Sequence, residues 1–532
     1  MSSKKDNISN AVVILIAMVT GVVIGLMFAS HASQEQRGTP LQEKIGEVVN
    51  LMEREYVDSI DTDSLSERLL GVMLQELDPH SVYQTARQTE KTEELIRGNF
   101  EGVGLVLHRE GDSTFVGQVL ADGPSSESGL LPGDMFVAIN GERVIGMHTD
   151  SIIARLRGPR RSTVEVTVSR LSSPSTSKNL SFKLRRGIVN HTTLQYHAML
   201  DDTTGYMMLS SFSSTSYSEF HNALIELKNK GMRHLIFDLR GNSGGALSSA
   251  VGIANELLPA GSLIVYTQGV HQRRNDIVAR PGGQFTKGRV TVMVDEGSAS
   301  ASEVVSGALQ DNDRALIVGR RTFGKGLVQN EFELSDGSSV LLTTARYYTP
   351  SGRSIQRPYN RGTDEYYRDY LDQLVEESYA DNPTLHITDS TPYHTVGGRV
   401  VYGGGGIFPD QLIPYRKDSS YVYFNRLSGQ GIISHTAFEE VRLHAGEMLR
   451  RYPNADAFCR HYEVSDALLH RLVTNGEQAG IPVNPKGLAA QRKLIKTMLK
   501  ANIGNALYGG EAFYRIYLEE DDDLKRIKKT NK

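Results

Sequence analysis

Val290-Thr-Val-Met-Val-Asp-Glu-Gly-Ser-Ala-Ser-Ala-Ser-Glu-Val-Val-Ser-Gly-Ala-Leu-Gln310 is the stretch whose reading decides the fold. Val290 to Val294 has the length and β-branched content of a buried strand, and Asp295-Glu-Gly-Ser-Ala299 has the small and polar residues of a turn. From Ser300 to Gln310 the apolar residues Val304, Val305, Ala308 and Leu309 recur at helical spacing. A strand that passes through a short turn into a helix is the building unit of an α/β sheet. The same design precedes it: a helix over Phe220 to Lys228, a buried strand over His234 to Leu239, the turn Asn242-Ser-Gly-Gly245 and a helix over Ala246 to Leu258. After it come a strand over Ala315 to Val318, Thr322-Phe-Gly-Lys-Gly326, and a hairpin of Leu327 to Leu334 with Ser338 to Thr344 about Asp336-Gly337. An α/β core is therefore expected over residues 187–414.

Outward from this core the texture changes. Residues 98–186 carry short β-rich runs at Val103 to Leu107, Thr114 to Val119, Met135 to Ile139 and Val164 to Val168, separated by Gly and Pro turns. Residues 41–97 read as helical, with Ile45, Val48, Val49 and Met52, then Leu65, Leu69, Leu70 and Met73, on helical faces. Asp78-Pro-His-Ser81 interrupts them as a turn in which His80 reads as a structural hydrogen bonder. Residues 415–532 read as mainly helical, with runs near Glu439 to Arg450, Asp466 to Thr474 and Ala489 to Ala501. The last stretch, Glu519 to Lys532, reads as a solvated, frayed end. Gly403 to Gly406 has no Walker Lys-Ser/Thr after it and reads as tight-turn structure.

At the other end, Ala11 to Ser30 is an uncharged, mostly apolar run close to the ~20 residues that span a bilayer as a helix. Lys4 and Lys5 precede it, so residues 1–32 read as a cytoplasmic terminus and single-pass anchor that leaves the remainder outside the cytoplasm. A cleaved signal peptide is the rival, with Ser30 and Ala32 near a cleavage site, but its apolar region usually runs only ~7–15 residues. With 532 residues, several domains are expected. A net charge of -4 gives no electrostatic footprint for nucleic acid, and the single cysteine, Cys459, excludes an intrachain disulfide framework and a Cys-rich zinc site.

A serine at a helix amino terminus sits beside unpaired backbone N–H groups and the positive end of the helix dipole, where a developing oxyanion is stabilised. Ser300 has that placement, and its neighbours Ser298 and Ser302 share it closely enough to stay open. No HExxH zinc site and no GxSxG elbow are expected, and none of the 15 histidines sits in a recognisable triad motif, which leaves lysine as the candidate base. An ordinary lysine is neutral in only about one molecule in 10³–10⁴ at pH 7. Burial lowers its pKa, and Lys325 has Phe323 and Leu327 as apolar cover, glycines on both sides and no acid next to it in sequence.

Two resemblances sharpen this. Gly102-Val-Gly-Leu-Val106, Ser128-Gly-Leu-Leu-Pro-Gly-Asp-Met-Phe-Val-Ala-Ile-Asn-Gly141 and the helix-like Thr149 to Leu156 resemble a PDZ domain. That implies peptide binding by strand addition at Gly102, Val103, Gly104 and Leu105, with an apolar carboxyl terminus as ligand. Leu77-Asp-Pro-His-Ser81, Asp238-Leu-Arg-Gly-Asn-Ser-Gly-Gly245, Gly297-Ser-Ala-Ser-Ala-Ser-Glu303, Asp313-Arg-Ala315, Thr322-Phe-Gly-Lys-Gly-Leu-Val-Gln329 and Tyr347-Tyr-Thr-Pro-Ser-Gly352 together resemble the carboxyl-terminal processing, or tail-specific, serine peptidases.

That resemblance implies Ser300 as nucleophile, Lys325 as base, Gln329 as the group that orients the lysine, and an oxyanion hole of backbone N–H groups from Gly244 or Gly245 and from Ala301. It implies no metal or cofactor, and a crotonase-like α/β peptidase core. The expected chain is thus an α+β multidomain protein: helical N-terminal region, β-sandwich or barrel-like PDZ domain, α/β peptidase core and helical C-terminal region. Arg157, in Leu156-Arg-Gly-Pro-Arg-Arg161, stands where some relatives link peptide docking to assembly of the catalytic site. The expected partners are protein substrates with apolar carboxyl termini, met in the periplasm by an enzyme anchored in a bacterial inner membrane, with a homo-oligomer left open. The rival is a catalytically silent PDZ-containing binding scaffold.

Overall fold

A computed structural model of the chain describes residues 39–173, 176–379, 387, 389–415 and 418–530. The apolar run Ala11 to Ser30 lies outside them, and among the described residues no helix is long and apolar enough to cross a membrane. The described residues fall into two compact units, 39–73 and 74–530. In the first, the helix Pro40–Glu55 opens on a capping box in which Thr39 and Gln42 each bond the other's backbone N–H, with Pro40 at the first helical position. The helix Thr62–Gln75 follows it in sequence.

The helical reading of residues 41–97 needs a correction. Beyond Pro79, which cannot continue a helix, Val82–Gln84 is a strand paired antiparallel with Ser339–Tyr348, before the helix Ala86–Arg97. That strand brings Asp78-Pro-His-Ser81 to the α/β core. It ends a five-stranded antiparallel sheet that also contains Leu263–Gln268, Asn275–Val278 and Leu327–Glu333.

The central sheet has six strands in the order Leu194–Met199, Thr204–Leu209, His234–Asp238, Arg289–Val294, Leu316–Gly319 and Gln411–Leu412. The first pair is antiparallel and the other pairs are parallel. Its period-2 alternation divides two cores. Met207, Leu209, Leu235, Phe237, Val290, Val292, Val294 and Ile317 join the cluster of the helices Ser216–Asn229, Leu247–Leu257 and Ala301–Asp311. Tyr206, Ile236, Met293 and Val318 face the other way and are covered by Leu518, Leu524 and Ile527. The carboxyl-terminal stretch, expected to fray, instead forms the helix Asp522–Thr530, and its apolar side closes the second face of this sheet. The charges are not solvated: Asp521 pairs with the largely buried Arg240 and Asp523 with the buried Arg320.

Residues of the PDZ-like segment form a six-stranded sheet running from Leu105–Glu110 to Thr176–Arg185, with the helix Thr149–Leu156 packed on its core. From Tyr421 to Tyr508 helices enclose a core of their own around Leu427, Val441, Leu472 and Leu499. The chain is thus an α+β multidomain protein in which a six-stranded antiparallel sheet with one helix and a larger α/β core are flanked in sequence by helical segments.

Candidate active site

Ser300 is the N-cap of the helix Ala301–Asp311 and ends the turn that leaves the strand Arg289–Val294. Its φ of 55° is in the left-handed region, a strained conformation for a residue with a Cβ that local structure must hold in place. The holding contacts are explicit. Gly244 packs so tightly on this turn that a Cβ there would lie 2.8 Å from Ser300 Cβ, 2.8 Å from the Ala299 carbonyl and 3.0 Å from the Ala301 nitrogen, and its own φ is +100°. Gly244→Ala is therefore expected to cut turnover by about 100-fold, because the added Cβ forces the Ser300 turn to shift. Steady-state kinetics on the folded variant check this.

The three serines separate by their bonding. Ser298 is buried and donates to the Leu239 carbonyl at 2.7 Å, and Ser302 is buried and donates to the Asn242 carbonyl at 2.8 Å. Ser300 is half-buried. The expectation of no GxSxG pattern needs a correction, because Gly241-Asn-Ser-Gly-Gly245 spells it between a strand and a helix; the exposed Ser243 makes no hydrogen bond to a base among the described residues.

Lys325 reaches Ser300 through Glu303. Glu303 Oε2 accepts the backbone N–H groups of Ser300 (2.8 Å) and Lys325 (2.9 Å), so the two backbones meet on one oxygen. Glu303 Oε1 accepts the Thr322 hydroxyl (2.6 Å) and the Gly324 N–H (2.7 Å). On the other side, the buried Tyr347 hydroxyl lies 2.6 Å from the Lys325 carbonyl and 3.2 Å from that of Ser300. Burial pushes the Glu303 carboxyl up to about 7, against these hydrogen bonds that favour its charge. Sequence reasoning gave Glu303 no role, although its place three residues after a helix-capping serine is the signal that could have found it.

Lys325 Nζ donates to Gln329 Oε1 at 2.6 Å, and Gln329 Nε2 donates to the His80 carbonyl. The turn holding that carbonyl is capped by the buried Asp78, which accepts N–H bonds from His80 and Ser81 at 2.8 Å each and the Ser81 hydroxyl at 2.6 Å. The His80 turn thus supports the lysine's partner, a connection the sequence did not reveal. Burial lowers the Lys325 pKa from its ordinary 10.5, while the carboxylates of Asp78 and Glu303 pull it back up. The absence of an adjacent acid held only along the sequence; the fold brings two from elsewhere.

Among the backbone donors, the Gly244 N–H is taken by Asn242 Oδ1 at 2.9 Å. The N–H groups of Gly245 and Ala301 have no hydrogen-bond partner among the described residues.

The PDZ-like segment holds a groove, a cavity of about 220 Å³ between Gly102, Val103, Gly104 and Leu105 on one side and Ile153 and Leu156 on the other. Among the described residues Leu105–Glu110 pairs only with Ser113–Val119, so its other edge is free to take an added strand. Arg157 lies at the end of the groove, with its guanidinium 4.9 Å from the Phe100 ring centroid and 2.8 Å from Glu94.

Comparison with known proteins agrees with this architecture. Residues 203–364 match peptidase family S41, residues 115–170 match the PDZ domain, and residues 423–509 match a family of unknown function, DUF8443. A carboxy-terminal-processing protease of Bartonella bacilliformis is 32% identical over 354 residues, covering 64% of this chain and 80% of the relative. A probable CtpA-like serine protease of Staphylococcus epidermidis is 30% identical over 350 residues, covering 65% and 69%. Among solved structures, a photosystem II D1 C-terminal processing protease is 28% identical with a TM-score of 0.35, covering 60% of this chain and 90% of its own. The chain belongs to the carboxy-terminal processing proteases, serine-type peptidases of family S41 with an embedded PDZ domain.

Proposed function

We propose that this chain cleaves proteins near their carboxyl ends with Ser300 as nucleophile and Lys325 as general base, after the PDZ groove has taken up an apolar carboxyl-terminal tail. The observation that carries the reading is the pair of Ser300 and Lys325 backbone N–H groups on one Glu303 oxygen, with the lysine amine aimed at Gln329. Neutral Lys325 takes the Ser300 hydroxyl proton as the oxygen attacks the peptide carbonyl. The N–H groups of Gly245 and Ala301 receive the oxyanion, Gly244 serving to pack the turn. The scissile C–N bond then breaks, the leaving amine takes the proton from Lys325, and a water activated by the same amine releases the acyl group. Gln329 orients the lysine. Arg157, held by Glu94 and Phe100, ties the groove to the helix Ala86–Arg97 and is the residue through which tail docking would be felt. The apolar run Ala11 to Ser30 supports an inner-membrane anchor with the peptidase on the periplasmic side.

The test is cleavage of a loosely folded reporter ending in apolar residues, by the chain without residues 1–32. Wild type is expected to cut, Ser300→Ala to bind the tail without cutting, and amidation of the reporter's terminus to suppress cutting. Equal cutting by Ser300→Ala would exclude this nucleophile, and a wild type that binds without cutting would favour the scaffold.

A further inference from the structure

The two turns that build the site are held from beneath by the end of the chain. Asp295 Oδ1 accepts the N–H groups of Gly241 (2.8 Å) and Gly297 (3.0 Å), tying the Leu239–Gly245 turn to the nucleophile turn, and the Asn242 carbonyl accepts the Ala299 N–H at 3.0 Å. Each turn is anchored by a largely buried arginine. Arg240 leaves the first turn and bonds Asp238 at 2.6 Å, itself bonded by the buried Tyr206 hydroxyl. Arg320 bonds Glu296, within the nucleophile turn, at 3.0 Å.

Neither arginine is completed by the peptidase segment alone. Arg240 Nη2 bonds Asp521 at 2.6 Å, and Asp523 lies 3.0 Å from Arg320 Nη1 and 3.3 Å from Arg240 Nη1. Asp521 is 4% exposed, and its second oxygen caps the final helix through the Leu524 N–H at 2.9 Å. One short segment thus clamps both arginines while Leu524 and Ile527 seat it on the sheet below.

We propose that Asp521 is a positioning residue for catalysis: through Arg240 it fixes the Gly241–Gly245 turn against the Ser300 turn, so that the carboxyl-terminal segment is a working part of the active site. This rests on the assignment of Ser300 as nucleophile. A purely stabilising contact would change how long the protein stays folded and leave the reactivity of Ser300 in the folded state untouched.

The discriminating variant is Asp521→Asn in the chain without residues 1–32. Asparagine keeps the helix cap and removes the charge that holds Arg240. The readouts are kcat and KM on the tailed reporter, the rate at which a fluorophosphonate probe labels Ser300, and binding of an apolar-tailed peptide. Asp521→Asn is expected to lower kcat and the labelling rate about 10- to 100-fold, the cost of a small misplacement. KM and peptide binding are expected to stay within about twofold. Leu524→Ala, which loosens the same helix without touching a charge, is expected to lower the melting temperature and leave labelling near wild type at temperatures where it is folded. Folded Asp521→Asn that labels at the wild-type rate overturns the proposal, as does an equal loss in Leu524→Ala, which would make the segment only an apolar cover. If Asp521→Asn does not fold, Asp523→Asn, at a partly exposed position on the same arginines, is read by the same criteria. A wild-type protein unlabelled at Ser300 removes the nucleophile assignment and this inference with it.

Discussion

Lys325→Met is expected to lower kcat by about 10³-fold or more with KM little changed, because general-base catalysis commonly supplies ~10²–10⁴-fold and a group that acts only on the reacting atoms leaves ground-state binding alone. Methionine suits the test. It has nearly the length of lysine and suits a largely buried position, so the variant should fold with Gln329 losing its partner. A folded Lys325→Met enzyme that retains most of its kcat would remove the lysine from the mechanism. Single-turnover kinetics on the reporter locate the loss in the acylation step.

The same residue sets a pH dependence whose sign follows from its environment. Burial holds the Lys325 pKa below the ordinary 10.5, and in the proposed mechanism it is the neutral amine that takes the Ser300 proton. kcat/KM should therefore rise with pH along a limb that ends below 10.5, and this limb should vanish with the residual activity of Lys325→Met. Stability carries the companion effect. Between the folded pKa and 10.5 the unfolded chain binds the extra proton, so the Lys325 contribution to stability increases as pH rises through that window. The slope should be absent in the methionine variant.

Much of this site was legible in the sequence because its parts are local. A strand, a glycine turn and a capped helix carry Ser300 within one short run, and the Phe323-Gly-Lys-Gly326 loop shows its glycines directly. Gly244 could be named as part of a Gly-Gly turn, yet its task of packing on Ser300 is a contact between turns far apart in sequence. The unread parts all depend on distant pairing. Val82–Gln84 is too short to announce itself as a strand until Ser339–Tyr348 supplies its partner. Helix Thr363–Tyr379, bearing the Tyr366 whose hydroxyl lies 3.1 Å from His80, has mixed polarity and stood unremarked within the expected core. Asp521 and Asp523 looked like ordinary solvated acids because their arginine partners lie roughly two to three hundred residues earlier. Charges report little until the fold shows what faces them.

Glu303→Gln joins the two halves of the site in one experiment. Each Glu303 oxygen receives two donors: Thr322 and Gly324 on one, Ser300 and Lys325 on the other. An ionised carboxylate only accepts, whereas glutamine must turn an NH₂ group toward one pair. Facing Ser300 and Lys325 it meets two backbone N–H groups, and facing the other pair it meets that of Gly324, so no rotamer satisfies all four donors. Loss of these buried bonds should destabilise the protein by about 2–4 kcal/mol, read as a lower denaturant midpoint with an unchanged slope. Because the same oxygen sets the spacing between Ser300 and Lys325, kcat should fall by about 100-fold even where the variant is fully folded. The pH dependence separates this from a generic core defect. The native carboxyl titrates at about 7 and the unfolded one near 4.5, so the native state binds the extra proton between them. The Glu303 contribution to stability is therefore complete below 4.5 and declines as pH rises to about 7. Wild type minus Glu303→Gln should show that decline as a difference in unfolding free energy across the window. A flat difference together with unchanged kcat would mean that the carboxylate neither titrates there nor spaces the Ser300 and Lys325 backbones.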